Sequence, residues 1–144
     1  MTMLLRLIVV LLSAQFVLGI WVNLFGRFPT TDSVANAVEY GGDPVLTAHY
    51  AVAVLVVILA AILVALAFRT DTRGSLRWMT IGGLFSVLWA TAAGLQFILS
   101  GFSSSDASFN MALAFIVAMT FYGVAQALVL PALPERADVR KSEE

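Results

Sequence analysis

The chain has 144 residues, 60% of them hydrophobic and 12% charged, with a mean hydropathy of +0.94. That is too apolar for an ordinary soluble domain of this length, and a formal net charge of −1 without a basic groove excludes nucleic acid as a partner. The absence of cysteine and the single histidine exclude disulfides, thiolate metal centres and a histidine-rich metal cage within one chain.

An uncharged stretch lies between Arg6 and Arg27 and stays apolar through Trp21 and Phe25. It outruns the apolar region of a signal peptide and predicts a first helix over about residues 4–25. Residues 26–43 form a mildly acidic loop punctuated by Pro29, Gly41 and Gly42. Within it, residues 33–40 predict a short interfacial helix capped by Asp32 or Ser33, with Val34, Val38 and Tyr40 toward lipid.

The next helix is the best marked. Asp43 suits an N-cap and Pro44 the first helical position. Residues 44–68 then carry no charge over 25 positions, where about 20 cross a bilayer. A turn with Arg69, Arg73 and Arg77 leads to a third helix over about 78–99. A Ser/Gly-rich loop follows, with Asp106 or Ser108 as N-cap for a fourth helix over about 109–130 that Pro131 and Pro134 end. The mixed-charge tail, 135–144, is expected to be disordered.

The sequence thus predicts an all-α polytopic membrane protein: one four-helix up-down-up-down bundle over residues 1–134. Seven of the eight basic residues fall at one end (Arg6, Arg69, Arg73, Arg77, Arg136, Arg140 and Lys141), and only Arg27 at the other. The positive-inside rule places both termini in the cytoplasm of a cell-membrane protein. Small residues at membrane-helix spacing point to close contacts: Ala61 with Ala65, Ala90 with Gly94, Ala114 with Ala118, Gly123 with Ala127. Gln15-Phe16-Val17-Leu18-Gly19 and Gln96-Phe97-Ile98-Leu99-Ser100-Gly101 suggest two related helical hairpins.

This topology gathers polar residues in the outer half: His49, Gln96, Asn23, Asn110 and Met111, with Gln15 somewhat deeper. Trp21 and Trp78 read as interface anchors and Trp89 as core filling. A lone imidazole inside a membrane span is a functional-site hypothesis by default. His49 has three readings: a hydrogen bond to Gln96 or Asn23, an axial bond to haem iron, or a bond to a carbonyl such as that of a quinone. For haem b, Met111 or His49 of a second chain supplies the other ligand, and Arg27 pairs with a propionate.

The layout resembles one four-helix half of a haem A synthase. The residues carrying the resemblance are Gln15-Phe16-Val17-Leu18-Gly19, His49 within Thr47-Ala48-His49-Tyr50, and Leu95-Gln96-Phe97-Ile98-Leu99. The resemblance implies outward-facing haem ligands at the openings of the second and fourth helices. Here Tyr50 follows the histidine where that family usually has arginine, the nearest preceding glutamate is Glu39, and Asn110 or Met111 stands where the family has its second histidine. Trp21-Val22-Asn23-Leu24-Phe25 also resembles a segment of small four-helix prokaryotic membrane proteins.

No Ser/His/Asp set, carboxylate pair, P-loop or dinucleotide fingerprint is present, which argues against an enzyme. The leading expectation is a non-catalytic subunit or interaction protein, as a homo-oligomer or within a larger, for example respiratory, membrane complex. The alternatives are a haem b bundle with His49 as axial ligand and candidate contacts Met111, Gln96, Asn110 and Arg27, or an oligomeric transporter of small solutes.

Overall fold

The computed structural model describes residues 1–30, 33–39, 42–69 and 74–129. All regular structure among them is helical: α1 Thr2–Phe25, α2 Val34–Glu39, α3 Pro44–Arg69, α4 Gly74–Leu99 and α5 Ser105–Val129. The four long helices are each long and apolar enough to cross a membrane. Asp32, Tyr40, Gly41, Arg73, Pro131, Pro134 and the tail lie outside the described residues.

α1 and α4 each pack on both α3 and α5, closing a ring in which α1 is diagonal to α4 and α3 to α5. Leu5, Ile8 and Leu12 from the first half of α1 meet Val56, Ala60 and Leu63 of α3, Leu76 and Val87 of α4, and Ala118, Tyr122 and Ala125 from the second half of α5. First halves therefore meet second halves around the ring, so consecutive long helices run antiparallel. This core lies toward the end carrying the start of α1, the end of α3 and the start of α4, here the α3–α4 end. The opposite, long-loop end carries the α1–α3 connection and the α4–α5 turn.

The start of α3 is built as its sequence predicts. The Asp43 carboxylate accepts the amides of Val45 at 2.8 Å and Leu46 at 3.2 Å through Oδ1, and that of Arg27 at 3.0 Å through Oδ2. One side chain thus satisfies two orphan donors of the helix and ties down the end of the first loop. The Arg27 amide first, then those of Leu46 and Val45, hold the Asp43 carboxyl below the usual carboxylate range. A carboxylate with a depressed folded pKa stabilises above its unfolded pKa of about 3.9, and that contribution is lost as pH falls through the folded value. Asp43→Ala is therefore expected to lower the thermal midpoint at neutral pH, with the gap to wild type closing in acid below about pH 4. Thermal scans of both proteins across pH check this.

α4 starts at Gly74, four residues before the expected 78, because Arg77 is useful inside the helix. Its Nε donates to the carbonyl of Ala67 at 3.2 Å, near the end of α3, and its guanidinium lies 5.7 Å from the Phe68 ring centroid. A cation near a helix C-terminus also meets the negative end of the dipole. α5 likewise starts at Ser105, four residues before 109. Ser104, rather than Asp106 or Ser108, is its cap, accepting the Ala107 amide at 3.2 Å.

The α4–α5 turn is a Schellman motif. The Gly101 amide bonds to the Ile98 carbonyl and the Phe102 amide to that of Phe97, each at 2.9 Å. Gly101 and Phe102 both take left-handed φ values, 63° and 61°. The position is strained for phenylalanine, by about 1–2 kcal/mol. What it gains is an aromatic cluster: Phe102 meets Phe97 edge-on at 5.6 Å and stacks on Phe28 at 4.8 Å.

α4 and α5 meet closely at a glycine pair. A Cβ on Gly83 would stand 2.5 Å from the Tyr122 ring, and one on Gly82 would run into Phe121. Of the small-residue pairs read from sequence, Ala114 and Ala118 are buried, while Ala90 and Gly94 are half-buried. The other two pairs face away: Ala61, Ala65, Gly123 and Ala127 are exposed. Trp89 is half-buried, and the fully buried Tyr122 fills the core instead. Trp21 and Trp78 are exposed, at 53% and 69%.

Candidate functional site

Above the core, toward the long-loop end, the four long helices part around an apolar cavity of about 410 Å³. Leu12, Val56, Val87 and Ala118 belong both to the core and to its lining. The stacked rings of Phe16 and Phe115, 4.5 Å apart, join its α1 and α5 walls. Phe28, Phe97 and Phe102 line its far end, where it adjoins a more open chamber that shares those rings with Asn23, Ser103, Ser105 and Ser108. Val34 and Val38 of α2 also line the cavity instead of only facing outward.

His49 enters this cavity from α3. Its Nε2 lies 3.2 Å from the Gln15 amide nitrogen, which donates to it when the imidazole is protonated on Nδ1. One turn along α1 from Gln15, Gly19 gives the imidazole a flat seat: a Cβ there would stand 3.2 Å from His49 Cε1. His49 Nδ1 and Gln15 Oε1 are buried with no hydrogen-bond partner. Each such group costs about 1–3 kcal/mol, and orphaned polar atoms in a native structure call for an explanation.

Met111 enters from α5, the helix diagonal to α3. Its Sδ would be 3.5 Å from a Cβ on Gly94. The two hairpins thus repeat one device. In α1–α3, His49 near the start of the second helix rests on Gly19 near the end of the first. In α4–α5, Met111 near the start of the second helix rests on Gly94 near the end of the first. Imidazole and thioether occupy equivalent places on opposite sides of one cavity.

Several residues singled out in the sequence are elsewhere. Gln96 is exposed and lines neither chamber. Asn110 donates to the Asp106 carbonyl of its own helix at 2.9 Å and also lines neither. Arg27 is exposed, and its recorded bond is the backbone one to Asp43. Asn23 does line the cavity. His49 bonds to Gln15 and not to Gln96 or Asn23. The Gln15 and Gln96 segments are therefore similar in sequence without being equivalent in place: Gly19 corresponds to Gly94, six positions out of step with the match of Gln15 to Gln96 (81 residues against 75).

Gln15 is the site residue that the sequence reading does not pair with His49. Counted rise puts it about 15 Å from the end of α1 and His49 about 8 Å from the start of α3, more than a turn apart in depth. The available signal was Gly19, one turn from Gln15 on the same face, where a neighbouring side chain can approach α1. Among the described residues there is no cluster of three or more His, Cys, Asp or Glu side chains. No protein-family model, curated protein or solved structure matches the chain.

Proposed function

We propose that the protein is a b-type haem-holding membrane bundle in which His49 and Met111 are the axial ligands. The observation that carries this reading is the equivalence of those two side chains. Two residue types suited to haem iron line one cavity from diagonal helices, each backed by a glycine.

The residues present fit the group. Gly19, Ala53, Ala90, Gly94 and Ala112 keep the lining shallow where a flat ring must lie. Among the described residues no charged side chain lines either chamber, and Asn23, Ser103, Ser105 and Ser108 of the open outer chamber would be the polar partners for a haem's carboxylates. When bound, haem supplies one-electron redox chemistry. His49 and Met111 would hold it, the Phe16–Phe115 stack would flank it, and Phe28, Phe97 and Phe102 would line the far end of its site.

The bundle spans the cell membrane with its α3–α4 end cytoplasmic, which puts Arg6, Arg69 and Arg77 inside and the cavity in the outer half. A subunit role in a larger complex is compatible with this site, since a haem-bearing bundle can pass electrons to a neighbour. Titration of the purified, detergent-solubilised protein with haemin tests the reading. A saturable Soret band at one haem per chain supports it; haemin that stays free in the detergent refutes it.

A further inference from the structure

The Gln15–His49 pair has a consequence beyond haem holding itself. An imidazole bonds haem iron through its outer nitrogen, Nε2, yet here Gln15 holds that nitrogen at 3.2 Å. The other ring nitrogen, Nδ1, lies against Gly19 and is buried without a partner, as is Gln15 Oε1. The pair is half-satisfied: one hydrogen bond is made while a polar atom on each side chain is left unpaired.

We infer that Gln15 is a displaceable latch on His49, holding Nε2 in the ligand-free protein and swinging away to release it. The inference rests on the haem reading for what takes the nitrogen, but the latched state is a property of this chain alone. Three features fit the role. The amide makes a single hydrogen bond to the imidazole, so release breaks one interaction. The departing amide has room, because Gln15 lines the cavity, and rotation into it opens Oε1 to new partners. Gly19 supports the imidazole independently of Gln15, so the ring keeps its place after the latch opens.

A latch competes with the ligand. In the latched protein only a fraction of molecules offers Nε2, and apparent affinity falls by that fraction. Removing the latch therefore strengthens binding, opposite to the effect of removing a contact. A single hydrogen bond of ordinary net strength corresponds to about a two- to tenfold change.

The test uses His49 as the chain's only histidine, so imidazole nitrogen-15 signals need no assignment. Spectra of the ligand-free protein in lipid nanodiscs are recorded for wild type, Gln15→Leu and Gln15→Met, and each is then titrated with haemin. The expected result is a wild-type imidazole fixed as the Nδ1-protonated tautomer with Nε2 accepting a hydrogen bond. Both variants lose that signature and bind haemin about two- to tenfold more tightly. Identical ligand-free spectra, or variants that bind more weakly than wild type, overturn the latch and leave the haem reading standing. If neither wild type nor variants bind haemin, the haem reading falls and release to a haem falls with it.

Discussion

His49→Ala is expected to abolish stoichiometric haem uptake, and Met111→Leu to retain haem but lose its sixth ligand. Replacing groups that merely support a metal ligand typically weakens binding about 10–100-fold, so loss of the imidazole itself should exceed about 100-fold. Met111→Leu conserves volume, and such swaps usually change stability by less than about 1.5 kcal/mol. A change in its spectrum therefore reports ligation, not repacking. The expected sign of that change is a shift from low-spin to high-spin iron. Added free imidazole should restore a Soret band to His49→Ala, because truncation leaves room beside Gly19. Absorption spectra of the three proteins, at matched helicity by circular dichroism, check all of these outcomes. If His49→Ala takes up haem as wild type does, the site is elsewhere.

Gly83→Ala is expected to destabilise the bundle by about 1–3 kcal/mol, although alanine is the better helix former. Two effects of opposite sign compete. Helix propensity favours alanine by about 1 kcal/mol. Against it, the new methyl would stand 2.5 Å from the ring of the fully buried Tyr122. That contact lies at the hydroxyl end of a rigid ring that is buried on every side and so cannot swing aside as an exposed chain end would, so α4 and α5 must separate. Overpacking of this kind usually costs about 1–3 kcal/mol, and leucine at the same place should prevent the seam from closing. Gly123→Ala is the control, since nothing lies within 4 Å of its would-be Cβ. It should be neutral or slightly stabilising. Tyr122→Leu combined with Gly83→Ala should recover part of the loss, because the smaller side chain makes room and removes a buried hydroxyl without a partner. Unfolding midpoints of the four variants decide the matter. Equal effects at Gly83 and Gly123 would falsify the close contact.

The contrast between Gly83 and Gly123 also shows what the sequence could convey. The long helices were legible because uncharged runs and the Asp43-Pro44 start depend on local chemistry. The same holds for the antiparallel order, which short connections dictate. Starts were misjudged where a polar residue serves inside a helix: Arg77 reads as a turn residue until its bond to Ala67 is seen. Facing was the least legible property. In helices apolar on every side there is no amphipathic stripe to orient them, so Gly123 and Gly83 look alike although one meets nothing and the other a tyrosine ring. For the same reason His49, Met111 and Asn23 were gathered at one level together with Gln96 and Asn110, which lie outside the cavity. Depth can be counted along a helix, but rotation about its axis cannot. Gln15 escapes for a different reason: counted rise sets it more than a turn deeper than His49, a gap that its long side chain closes.

The most direct measurement of the central claim is the near-infrared magnetic circular dichroism of the ferric, haem-loaded protein, which identifies the axial pair. The account predicts one imidazole nitrogen and one thioether sulfur on a low-spin iron, at one haem per chain, with the sulfur signature absent from Met111→Leu. Two imidazoles on the iron would contradict it, because a chain with one histidine can supply that pair only by sharing a haem between two copies.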